Sequence, residues 1–236
     1  MPAVLRIATY NVHACVGADR RHDPARIARV IAELNADVVA LQEFTYPAEV
    51  ALETRAPVVL TTLDAYQCVL GPARSDRVQC FGNALLSRHP IVEVHRLDLS
   101  MKRREPRGAL AATITFDGEP LHVMSVHLGL HVEERRFQVR QILDYLDSIH
   151  HERVVVLGDF NDWLPGQSAA HVLDARLGRS IRARSFPVFW PVLSLDRIWA
   201  RPAAALRKVT AHKSPASRVA SDHLPVVGEV DWSSPA

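Results

Sequence analysis

The chain has 236 residues, 48% of them hydrophobic, and 28 Lys and Arg stand against 26 Asp and Glu for a net charge of +2. That apolar content supports a sizeable core and excludes a disordered chain, while the near balance of charge excludes a protein that holds nucleic acid by electrostatics alone. No run approaches the roughly eighteen apolar residues of a membrane span, and the N-terminal MPAVLRIATYNVH lacks the flank and long apolar stretch of a secretory signal, so a cytoplasmic protein is expected. Cys15, Cys68 and Cys80 form no CxxC or Cys/His cluster, which predicts three free thiols in a reducing compartment.

In chain order, VLRIATY from Val4 alternates as a strand, PARIARVIAELN from Pro24 repeats apolar residues at helical spacing with Pro in its first turn, and ADVVALQE returns to strand. The middle is hairpin-rich: YQCVL, NALLS, IVEVHRLDL and ALAATITF read as strands, the last joined by the turn DGEP to LHVMSVHLGL. An amphipathic helix is expected from about Val132 to His150, then a strand in RVVVLGDFND, then strands around SLDRIWA, LRKVTAH and LPVVGEV. No repeat, Gly/Ser linker or shift of composition divides the sequence. The pattern predicts one α/β domain over residues 1–236, with mostly antiparallel sheets packed together and helices outside.

Several of these strands end in a residue that is costly to bury and useful for chemistry: Asn11, Glu43, His127, Asp159 with Asn161, and Asp196. The tripeptide SDH, Ser221 to His223, instead opens the final strand. Within VVVLGDFND, four apolar residues in a row suit a strand buried on both faces, and the polar residues fall where it emerges. If these ends converge, carboxylates, amides and two imidazoles surround one pocket, a donor set for a hard, oxygen-seeking cation and for proton transfer. Neither HExxH nor a thiolate cluster is present, which argues against structural zinc, although His127 and His223 suit other transition metals.

The motifs TYNVH, LQE, SVHL, GDFND, LDRIW and SDHLPV occur in the order typical of the endonuclease/exonuclease/phosphatase family, which the chain resembles from about residue 4 to 231. The resemblance implies a four-layered α/β sandwich, two packed, mainly antiparallel β-sheets flanked by helices, with one catalytic cleft at their strand ends. It implies a divalent-metal-dependent phosphoesterase using Mg²⁺ or Mn²⁺, here read as a phosphodiesterase that hydrolyses a P–O bond by in-line attack of activated water. Glu43 then matches the principal metal ligand, with Asn11 beside it and Asp222 as a further metal residue. Asp159 matches the carboxylate that orients the water, Asn161 an amide on that water or on a phosphoryl oxygen, and Asp196 with His223 a hydrogen-bonded pair. His127 matches a second histidine across the phosphate. Asp159 and His223 both have the chemistry of a general base, and the sequence does not choose between them.

Arg107, in KRREPRGAL, has the fork geometry to bind phosphate, or belongs to a solvated basic loop. Asn83 and Arg88 are possible neighbours of the cleft, and the loop carrying His13, Asp19 and His22 either shapes its rim or is an ordinary surface connection. SFPVFWP, Ser185 to Pro191, reads as a rim loop whose Phe186, Phe189 and Trp190 insert into lipid, stack on a base or pack beneath it. Two rival functions stand beside the phosphodiesterase: a nuclease acting on DNA or RNA, and a catalytically inactive nucleic-acid-binding module. The complete set of Glu43, Asp159, Asn161 and His223 argues against the inactive module, since binding alone does not require it. The expected partner is a phosphoester substrate, with nucleic acid and phospholipid both open and no obligate protein partner.

Overall fold

The computed structural model describes residues 4–50, 53–55, 63–163 and 169–233. Seven strands form one sheet in the order β11-β12-β1-β2-β5-β4-β3, and five form a second in the order β10-β9-β8-β7-β6. The first comprises β1 (Leu5–Asn11), β2 (Val38–Pro47), β3 (Glu53–Arg55), β4 (Gln67–Ser75), β5 (Gln79–Ser87), β11 (Leu206–Ala211) and β12 (Val226–Val230). The second comprises β6 (Ile91–Asp98), β7 (Gly108–Phe116), β8 (Glu119–His127), β9 (Val154–Asp159) and β10 (Asp196–Arg201). The helices are α1 (Pro24–Leu34), α2 (Val132–Ser148), α3 (Ala169–Leu177) and the short α4 (Ser217–Ala220).

Two strand pairs are parallel, β1 with β2 and β8 with β9, and these are the pairs joined through a helix, α1 and α2 respectively. A parallel pair needs such a crossover, whereas an antiparallel pair such as β4 with β5 or β7 with β8 can be joined by a short turn. Helix α1 begins where Asp23 accepts from the Arg26 amide and Pro24 supplies a helix-ready φ; it ends at Asn35 in the left-handed region.

Alternation along the strands sorts the core into layers. In β1, Leu5 and Ile7 face the second sheet while Ala8 and Tyr10 face α1. In β9, Val155 and Leu157 join the core between the sheets while Val154 and Val156 pack toward α2 and α3. The unbroken apolar run of β9 is thus a strand covered on both faces, and the four-layered sandwich expected from the sequence is the observed fold. Cys15, Cys68 and Cys80 are buried free thiols. No helix among the described residues is long and apolar enough to cross a membrane.

Three features depart from the sequence reading. Asp196 does not end a strand but begins β10. Because β10 runs antiparallel to β9 and pairs Asp196 with Asp159, the start of one strand lies beside the end of the other. Helix α3 and the short strand β3 form where the sequence carries no strong periodic signal. Arg88 lies away from the cleft: its backbone N–H donates to the Asp37 carbonyl, its guanidinium bonds Asn35, and both partners flank the start of β2 rather than the bulge that carries Glu43.

Candidate active site

Strand register assembles the site. Asn11 pairs with Gln42 across β1 and β2, His127 with Asp159 across β8 and β9, and Asp159 with Asp196 across β9 and β10. Between the sheets, Gln42 accepts from Thr9 and donates to Ser125 at 3.2 Å, locking their separation beneath the polar cluster. The Ser221 hydroxyl donates to the Asn11 carbonyl at 2.8 Å and ties the segment entering β12 to the end of β1.

Backbone conformation aims the side chains. The β2–β5 register shifts between Leu41 and Phe44, and Glu43 within this bulge has φ 55°, which turns its carboxylate toward the cleft. Gly158 has φ 151°, and a Cβ there would sit 1.9 Å from the Val126 carbonyl oxygen, so only glycine lets β9 lie this close to β8 before Asp159. Asn161 has φ 48°, and its backbone N–H donates to Asp159 Oδ1 at 2.9 Å.

The Asn11 amide and the imidazoles of His127 and His223 then join three carboxylates. Asn11 Nδ2 donates to Glu43 Oε1 at 3.1 Å and to Asp159 Oδ2 at 3.0 Å, while Asn11 Oδ1 accepts from the His13 N–H at 3.0 Å. His127 Nε2 lies 3.7 Å from Glu43 Oε1 and 3.9 Å from Asp159 Oδ2. His223 Nε2 lies 3.7 Å from the same Asp159 oxygen, and its Nδ1 donates to Asp196 Oδ2 at 2.8 Å. That Asp196 oxygen also accepts from the Ser185 hydroxyl. Asp222 lines the cleft with its Oδ1 3.9 Å from His13 Nδ1.

Electrostatics separates the two histidines. Burial holds His127 well below the usual imidazole range, reinforced by the charges of Arg107 and His223, so it is neutral. Burial also acts to lower His223, but the charges of Asp196 and Asp159 and the Asp196 hydrogen bond outweigh it and favour the imidazolium. Asp159 moves up through burial, opposed by His223 and assisted by Asp196. Among the described residues the ion-pair partners of Glu43 and Asp159 are imidazoles only. One imidazolium against two adjoining carboxylates leaves surplus negative charge on oxygen donors, which fits a hard divalent cation held at Glu43. Asp159, Asp196 and His223 also converge within 4.8 Å, but the inward oxygen of Asp196 already accepts two hydrogen bonds, so that trio orients an imidazole rather than offering an open metal cage.

The cleft, about 390 Å³, is lined by Glu43, His127, Asp159, Asn161, Asp222 and His223 together with Arg107. Arg107 is 6% exposed and pairs with Glu105 at 2.9 Å, so it is a buried cation of the cleft rather than part of a solvated loop. Asn83 stands behind it, donating to the Gly108 carbonyl at 2.8 Å. Phe186 lines the cleft and packs on His223, whereas Phe189 and Trp190 are exposed. Sequence reasoning gave no role to Ser185, Ser221, Glu105 or Trp163, and it offered His13 only as part of a loop that shapes the rim or is an ordinary surface connection. The sequence signal for Trp163 was its position two residues beyond Asn161. Asp19, by contrast, is bound by Arg26 and serves the loop itself.

Such an edge, where two packed sheets present carboxylates, amides and a paired histidine, is that of the endonuclease/exonuclease/phosphatase family, to which the chain belongs: the family model matches residues 8–223. Members of this family are generally hydrolases acting on phosphoester bonds. YbhP, an uncharacterized protein of Escherichia coli (strain K12), is 38% identical over 160 residues, 63% of this chain and 62% of that protein, so the match spans less than two thirds of the relative. An endonuclease/exonuclease/phosphatase structure from Beutenbergia cavernae shares the fold at TM-score 0.75 and 24% identity, covering 97% of this chain and 71% of that one. D. rerio TDP2 complexed with single-strand DNA product does so at TM-score 0.66 and 22% identity, covering 96% and 98%.

Proposed function

We propose that this protein is a divalent-metal-dependent phosphodiesterase that hydrolyses a P–O bond by in-line attack of water. The observation that carries the reading is the hydrogen bonding of Glu43 and Asp159 to one Asn11 amide, with His127 and His223 both facing the same Asp159 oxygen. Glu43 would hold Mg²⁺ or Mn²⁺ with Asn11 and Asp222 beside it, and the cation, when bound, neutralises charge on a phosphoryl oxygen and on the leaving group.

Asp159 is the general base. His223 donates Nδ1–H to Asp196 and is favoured as the imidazolium, so it offers charge and N–H rather than a lone pair. It stabilises the negative charge growing on the phosphoryl oxygens, and Asp196 fixes its orientation. Asn11 Nδ2 and the Asn161 N–H hold the two Asp159 oxygens, so the base meets the water in one geometry. Asn161 Nδ2 donates to the Leu128 carbonyl at 2.9 Å, which leaves Oδ1 as an acceptor to align the same water. Neutral His127, 3.9 Å from Asp159 Oδ2, would offer an N–H to a phosphoryl oxygen, and Arg107 would bind a non-reacting one.

The test is a panel of phosphodiesters, phosphomonoesters, phospholipids and nucleic acids assayed with purified protein in Mg²⁺ or Mn²⁺, with Asp159→Ala as the control against contaminants. Diester turnover absent from the control supports the reading; failure of the whole panel with metal-loaded, folded protein overturns it.

A further inference from the structure

Helix α2 opens with polar residues on its buried face: Glu134, Arg135 and Gln138 are each at most 3% exposed. Arg135 and Gln138 bind the backbone of the loop that follows β8, and Gln138 also donates to Glu134 and to the Leu99 carbonyl. Arg135 Nη1 donates to the Leu130 carbonyl at 2.6 Å and to the Gly129 carbonyl at 3.3 Å, and Gln138 accepts from the Gly129 N–H at 2.8 Å. Asp162, on the loop after β9, lies 3.8 Å from Arg135 and accepts from the Ala170 N–H at 2.8 Å. A fully buried guanidinium therefore joins the two loops that form one wall of the cleft.

The same guanidinium backs the Trp163 ring, 5.4 Å from its centroid. Trp163 is nevertheless 42% exposed, and it lines the cleft with Leu130, which is 56% exposed. Desolvating an arginine is costly, and here it holds an aromatic ring in place without burying it. The cleft thus has a braced, flat, apolar plate beside Asp159 in its lining, and a buried cation, Arg107, whose Nε has no hydrogen-bond partner among the described residues. A volume near 390 Å³ suits a small ligand rather than a duplex.

We infer that Trp163 is a stacking plate for a planar ring carried on the substrate's phosphate ester, so that the cleft takes a nucleotide unit. The inference rests on the phosphodiesterase reading for its phosphate position. It adds the requirement that the ring, and not only the phosphate, is recognised. The unit can belong to a free nucleotide derivative or to the end of a single strand, since both present the same base and phosphate.

Titration calorimetry in Mg²⁺ buffer with thymidine monophosphate and ribose phosphate separates the ring from the phosphate. Base stacking on an aromatic side chain predicts about tenfold or tighter binding of the thymidine nucleotide. Trp163→Leu, which keeps apolar bulk but removes the plate, should abolish that preference, and Trp163→Phe should retain most of it, with circular dichroism verifying both folds. Tighter binding of phosphorylated pentathymidylate than of the mononucleotide identifies a strand end as the source, and equal binding a free nucleotide. Undetectable binding of thymidine monophosphate, no preference over ribose phosphate, or a preference that survives Trp163→Leu overturns the inference. So does a Trp163→Leu protein that loses phosphatidylcholine vesicles while binding the nucleotide normally. Absence of diester turnover counts against the proposed function, whereas absence of ring preference counts against this subsite.

Discussion

Asp196 and Asp159 are partners across antiparallel strands, yet they do different work because one hydrogen-bonds the far nitrogen of His223 and the other faces its near nitrogen. The imidazole sits between two carboxylates whose spacing is set by sheet register rather than by a loop. A substitution that removes one charge without changing shape therefore tests chemistry without testing the fold.

Asp159→Asn keeps the volume and can still accept from the Asn161 N–H, but cannot take a proton. Diester turnover is expected to fall by about 10²- to 10⁴-fold, the usual cost of losing a positioned acid or base, with unchanged circular dichroism. His223→Ala is expected to fall in the same range. Full activity in well-folded Asp159→Asn protein would sink the mechanism.

Much of this candidate site was legible in the sequence, because an apolar run ending in a carboxylate, amide or imidazole marks a strand end at a cleft, and Asn11, His127 and Asp159 follow that rule. Glu43 fits it only in part, since β2 continues to Pro47 and a bulge turns the side chain out. Asp196 broke the rule: strand direction is a tertiary property, and an antiparallel neighbour contributes its first residue where a parallel one contributes its last. The roles of Ser185 and Ser221 were not readable, even with Ser221 inside the SDH motif, because they arise only once Asp196 and Asn11 lie beside them. The buried polar face of α2 was equally hidden. Periodicity marks which residues point inward, but not that a loop's backbone waits there for hydrogen bonds.

Chelation is expected to abolish turnover reversibly, and Glu43→Gln to raise the Mg²⁺ concentration needed for half-maximal rate by roughly tenfold or more, since a neutral amide is a weaker ligand for a hard cation. Activity titrated against Mg²⁺ and Mn²⁺, with metal content verified by elemental analysis, provides the check. Undiminished rates in thoroughly chelated protein would contradict the place given to Glu43.

The tryptophans divide by burial. Trp199 is 1% exposed, donates to Asp174 at 2.8 Å and meets Phe160 edge-on at 4.6 Å, so Trp199→Ala should cost about 3 to 5 kcal/mol. Trp190 is 77% exposed, and Trp190→Ala is expected to change stability by no more than about 0.5 kcal/mol. Urea unfolding of both variants measures this, and a destabilised Trp190→Ala would return that residue to the core, where one sequence-based reading put it.

The last expectation concerns pH and a histidine outside the cleft. His122 is fully buried, with Nδ1 3.2 Å from the Thr113 hydroxyl and Nε2 3.2 Å from the Tyr145 hydroxyl, and its ring stacks on His151 at 4.9 Å. Burial, then the neighbouring charges of His151, His95 and Arg201, push its pKa down to about 3 from an ordinary 6.5. Between those two values the unfolded chain holds a proton that the folded chain refuses. Stability contributed by the neutral ring is therefore complete above pH 6.5 and is lost as pH falls toward 3, at up to about 1.4 kcal/mol per pH unit for one proton. His122→Gln keeps hydrogen-bonding groups for Thr113 and Tyr145 but cannot titrate, so its stability should decline less steeply on acidification. Some slope should remain, because His127 is also buried in the neutral form. Urea midpoints measured at intervals from neutral pH into the acid range would decide: parallel declines in the two proteins would show that His122 does not carry this proton.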